Sequence, residues 1–123
     1  MSGPALARGA LAPVALVLAV AGAAAGHAFL DRAEPRVGGR VRTPPAQVTL
    51  WFTERLEPAY SRVQVVSQAG QRVDKNDGAV GGDGRQLRAS LTPLLPGTYR
   101  VVWRVLSVDT HVTEGDFTFQ VAP

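Results

Sequence analysis

Cysteine is absent from the 123 residues, which excludes disulfide scaffolds, Cys-ligated zinc, iron–sulfur clusters and Cys nucleophiles. Methionine is nearly absent as well. The only one is Met1, so beyond the first residue there is no thioether donor for a soft metal ion. Charge of one sign is not concentrated anywhere: 13 Lys+Arg oppose 10 Asp+Glu, and Lys75 is the only lysine. No basic arm of the kind that binds nucleic acid is present, so nucleic acid is not an expected partner. Beyond residue 26 no long stretch carries apolar residues at helical spacing, which points away from a helical domain.

What is present begins with a leader. The first 26 residues hold one charged side chain, Arg8, followed by an Ala-, Leu- and Val-rich run that ends in Ala21-Gly22-Ala23-Ala24-Ala25-Gly26. That is the layout of a secretory signal peptide. Pro13 interrupts a run that is marginal beside the about 20 apolar residues of a membrane anchor. The expectation is therefore removal of residues 1–26 and export of a single domain, residues 27–123, to the periplasm or the outside of the cell envelope. Small residues at −3 and −1 allow a cut before His27 (Ala24, Gly26) and equally one before Gly26 (Ala23, Ala25).

Period-two alternation marks the strands of the exported part. Val48, Leu50 and Phe52 alternate with Thr49, Trp51 and Thr53, and Glu54 continues the inward parity. Tyr99, Val101, Trp103 and Val105 share one face of the clearest core strand, with Arg100 and Arg104 on the other. Phe117–Val121, Arg62–Val66 and a weaker Leu87–Leu91 follow the same rule. Ala28–Asp31 and Gly39–Arg42 add two short strands, and Asp74 to Gly84 reads as a glycine-rich loop with an Asp77-Gly78 turn. About seven short strands at this spacing predict an all-β, antiparallel Greek-key sandwich, with a small closed barrel as the structural rival. Trp51, Trp103 and the phenylalanines read as core.

Two histidines follow the leader, His27 and His111. At a new N-terminus His27 offers a free amine and an imidazole nitrogen to one ion. Asp109 and His111, at i and i+2 after the strongest core strand, project to the same side of extended backbone. One amine, two imidazoles and one carboxylate suit Cu(II) best, then Ni(II), with Zn(II) competing. Asp-x-His by itself is also an ordinary solvated turn, and Glu54 an ordinary strand-end carboxylate.

These residues lie within a longer pattern. His27-Ala28-Phe29-Leu30, the Glu34-Pro35 turn, Phe52-Thr53-Glu54, Pro96-Gly97-Thr98-Tyr99-Arg100-Val101-Val102-Trp103-Arg104, Ser107-Val108-Asp109-Thr110-His111 and Gly115-Asp116-Phe117-Thr118-Phe119 occur in that order. In these blocks the chain resembles the CopC family of secreted, periplasm-type copper-binding proteins. The resemblance implies a seven-stranded sandwich of cupredoxin-like or immunoglobulin-like shape and a cut before His27. It further implies Cu(II) ligation by His27, Asp109 and His111, with the amine of His27 taking part. Glu54 matches a carboxylate beside the metal, where it would hydrogen-bond the amine or a coordinated water. The Met-rich loop of some family members has no counterpart, since residues 68–88 contain no methionine. The expected function is that of a non-enzymatic, monomeric Cu(II) carrier or buffer in copper homeostasis, with a CopD-type membrane permease as a candidate recipient. A histidine-brace copper oxygenase and a metal-free immunoglobulin-like interaction module are the alternatives.

Overall fold

Alternating burial along the longest strands, Gly97–Leu106 and Val112–Val121, fixes which side faces inward, and two sheets close on one another to cover those faces. The computed structural model describes residues 28–123, so His27 and the expected leader lie outside the described residues. The strands are β1 (Leu30–Glu34), β2 (Arg40–Val41), β3 (Gln47–Phe52), β4 (Arg62–Ser67), β5 (Ala79–Gly81), β6 (Gln86–Ser90), β7 (Gly97–Leu106) and β8 (Val112–Val121). One sheet has the order β1-β3-β6-β5 and the other β2-β8-β7-β4. This is the expected all-β sandwich. It has one strand more than predicted, because three residues of the glycine-rich loop pair with β6 as β5. The pairing is antiparallel apart from the two-residue β2, which runs parallel to β8.

Val48, Leu50 and Phe52 from one sheet meet Val63, Val65, Tyr99, Val101, Trp103, Val105, Phe117, Phe119 and Val121 from the other to form the core. Phe52 meets Trp103 edge to face with ring centroids 5.1 Å apart, an orientation favoured by the ring quadrupoles. The Tyr99 hydroxyl donates to the Leu95 carbonyl at 2.5 Å, which pins the turn that launches β7. Trp51 departs from the core reading. It is half-buried on the outer face, and the Arg32 guanidinium carbon lies 3.6 Å from its ring centroid. Phe29 is exposed.

Strands β7 and β8 are joined in an unbroken ladder from Gly97↔Val121 to Leu106↔Val112. Where Trp103 faces Gly115, a Cβ on the glycine would lie 2.6 Å from Trp103 Cζ2. A large indole on one strand thus requires glycine on the other. The long ladder makes the turn between β7 and β8 a rigidly mounted part of the surface.

Candidate metal centre

The turn from β7 to β8 is Ser107-Val108-Asp109-Thr110-His111, and its backbone is closed by two hydrogen bonds. Ser107 N–H donates to the His111 carbonyl at 3.0 Å, and Thr110 N–H to the Ser107 carbonyl at 2.8 Å. Thr110 sits at φ 73°, a left-handed conformation unfavourable for a β-branched residue, which persists only where surrounding contacts enforce it. The two donors predicted from sequence come together on this turn. His111 Nδ1 is 3.3 Å from Asp109 Oδ1, and their side chains are 50% and 43% exposed. A neutral imidazole that gives its Nδ1 proton to Asp109 presents the Nε2 lone pair to an ion. The Ser107 hydroxyl donates to Asp109 Oδ1. That bond first, and the neighbouring His111 second, hold the Asp109 carboxyl below its ordinary range.

Two further stretches are stitched to the same end of the sandwich. Behind β3, Glu57 N–H donates to the Leu106 carbonyl at 2.8 Å and Val108 N–H to the Arg55 carbonyl at 3.0 Å. The segment that begins with Glu54 is thereby fastened along the turn, and Glu54 itself is half-buried. At the start of the described chain, the Thr113 hydroxyl donates to the Ala28 carbonyl at 2.7 Å. Phe29 N–H reaches Thr53 Oγ1 at 2.9 Å, and Thr53 N–H returns to the Phe29 carbonyl at 2.9 Å. Ala28 is fully buried and lies between the residue before Glu54 and a residue two places after His111.

Among the described residues, Asp109 and His111 form a pair, and no group of three or more His, Asp or Glu side chains is gathered closely enough to hold a metal ion. The third predicted ligand, His27, lies outside the described residues. Sequence reading singled out Asp109, His111 and Glu54 but gave no role to Ser107, Thr53 or Thr113. A buried serine that continues the inward parity of an apolar strand was the available signal for the first. A groove of about 690 Å³ lies elsewhere, against β4, with Arg62, Arg72 and Arg104 in its lining and none of the predicted site residues.

Fold and turn together define a class: small two-sheet β-sandwiches that carry a nitrogen and oxygen donor pair on the turn between their two longest strands. Residues 30–122 match the CopC domain. The chain belongs to the CopC family, a copper-handling family of copper resistance proteins. Copper resistance protein C of Pseudomonas syringae pv. tomato is 33% identical over 109 residues, 83% of this chain and 86% of that protein. The crystal structure of CopC from Methylosinus trichosporium OB3b superposes with a TM-score of 0.70 at 35% identity, covering 79% of this chain and 95% of that one. PcoC, a methionine-rich copper resistance protein from Escherichia coli, gives 0.70 at 31% identity over 77% of this chain and 98% of its own. The methionine richness of that relative is not shared, because Met1 is the only methionine here. Among the described residues no helix is long and apolar enough to cross a membrane.

Proposed function

We propose that this chain, exported and cut before His27, binds one Cu(II) ion as cargo and carries or buffers it without catalytic turnover. A CopD-type membrane permease is the proposed recipient. The observation that carries the reading is the meeting of three stretches at one end of the sandwich: Ala28 and Phe29, the segment behind β3 that bears Glu54, and the Asp109–His111 turn. His27 is the covalent neighbour of Ala28, whose carbonyl is held by Thr113.

The donor chemistry fits Cu(II). An amine and two imidazoles supply borderline nitrogen donors, Asp109 supplies a hard anionic oxygen, and no thiol or thioether remains after residue 1 to favour Cu(I). Asp109 and His111 provide a carboxylate and an imidazole, His27 a chelating amine and imidazole, and Glu54 a carboxylate to orient the amine or a bound water. Acid releases the cargo, because the amine and imidazoles must be deprotonated to coordinate.

The test is a competition titration of Cu(II) between a chelator and the secreted protein, repeated with Asp109→Ala and His111→Ala. One tightly bound Cu(II), weakened more than 100-fold in either variant with the fold retained, is the expected result. Undiminished binding in both variants contradicts the reading.

A further inference from the structure

We infer that Ser107 is a positioning residue for this centre, holding the Asp109 carboxylate in one arrangement through a single buried hydroxyl. The inference rests on the reading of Asp109 and His111 as ligands and assigns a new role within that site. Ser107 follows Tyr99, Val101, Trp103 and Val105 on the inward face, and like Val105 it is 0% exposed. Parity and burial at this position call for an apolar side chain. A hydroxyl placed there is costly unless its hydrogen bonds are made.

Those bonds go to the two donor residues. The hydroxyl proton is given to Asp109 Oδ1. The same oxygen accepts from His111 N–H at 3.3 Å, and its contact with the His111 carbonyl is also 3.3 Å. A hydroxyl has one proton, and with that proton on Asp109 the oxygen serves His111 only as an acceptor. Oδ1 accepts from the hydroxyl and also lies 3.3 Å from His111 Nδ1, so both of its lone pairs face partners within the turn and Oδ2 is the oxygen left to offer an ion. Without the hydroxyl, the Asp109 carboxylate keeps its 3.3 Å contact with His111 Nδ1 but gains rotamer freedom that it must lose when it binds. Closure of the turn does not depend on the hydroxyl. Ser107 N–H to the His111 carbonyl and Thr110 N–H to the Ser107 carbonyl are backbone bonds that alanine retains.

The experiment is a double-mutant cycle on the secreted, full-length mature protein, read by Cu(II) competition titration and by electron paramagnetic resonance of the bound Cu(II). Ser107→Ala is expected to lower affinity about 10–100-fold, as loss of a ligand's supporting partner does, and to broaden or split the Cu(II) spectrum. In an Asp109→Ala background the same change is expected to cost less than threefold, since the carboxylate it acts on is gone. Equal losses in both backgrounds would assign Ser107 a merely structural part and overturn the inference. So would an unchanged affinity and spectrum in Ser107→Ala while Asp109→Ala and His111→Ala still weaken binding. If neither Asp109→Ala nor His111→Ala weakens binding, the ligand reading fails first, and the inference with it.

Discussion

At the scale of single residues, the protonation states of the donors set how the protein answers to pH. The Ser107 hydroxyl and then His111 hold the Asp109 carboxyl below its usual range. A carboxyl lowered in this way stays ionised as pH falls past the ordinary value of about 3.9 and is protonated only at lower pH. On the proposed ligand set, copper release between neutral and mildly acidic pH comes from the imidazoles and the amine, which must be deprotonated to coordinate. Competition titrations from pH 7.5 to 5.5 are expected to show a steep fall in affinity. In Asp109→Asn that fall should keep its position on the pH axis while overall affinity drops. Full affinity at pH 5 would argue against imidazole ligation. Glu54→Ala is expected to lose about 10–100-fold in affinity, the range for a partner that orients a ligand, and less than Asp109→Ala. The reverse order would exchange their roles.

At the scale of elements, the same local rules explain what was legible in the sequence. Strands β3 and β7 were visible because one face of each is apolar throughout. Only the second half of β8 was visible, since its other inward positions are Thr113 and Gly115, and Gly115 is small to make room for Trp103. Gly115→Ala is accordingly expected to cost about 1–3 kcal/mol through overpacking, measured as a lower urea midpoint. Strand β5 gave no signal because Ala79-Val80-Gly81 is too short and too glycine-rich to alternate. The loop before it is held by Asp74, whose buried carboxylate accepts from Val65 N–H at 2.8 Å, Arg72 Nε at 2.9 Å and Asn76 N–H at 3.0 Å. Burial alone would push this carboxyl up, but the Arg72 bond and the two backbone donors override it and lower it. A lowered native value stabilises the fold above the unfolded value of about 3.9, and the gain is lost as pH falls through the native one. Asp74→Ala should cost about 1–3 kcal/mol at pH 7 by leaving donors unpaired, and less at pH 2.5. An equal loss at both values would show that the charge is not what matters. Of the candidate site, spacing put Asp109 and His111 side by side, though the structure brings them together through a turn with Thr110 in a left-handed conformation and not through extended backbone. The roles of His27, Asp109, His111 and Glu54 came from the resemblance to the CopC family. The hydroxyl of Ser107 was not legible, because a serine in sequence does not reveal which neighbours it will bond.

At the scale of the whole molecule, the sandwich holds its shape through the packing of its two sheets, and the cargo adds stability only by binding the folded state. A ligand present at 100 times its Kd adds about 2.7 kcal/mol. Cu(II) is thus expected to raise the melting temperature of the mature protein and to leave that of His111→Ala much less changed. On the proposed reading, export creates the site by freeing the amine of His27 to act with Asp109 and His111. The most direct measurement is the native intact mass of the secreted protein with and without Cu(II), which reports the first residue and the number of bound ions together. That reading is borne out by a chain that begins at His27 and carries one copper. A chain beginning at Gly26 that binds copper just as tightly, or one beginning at His27 that binds none, would contradict it.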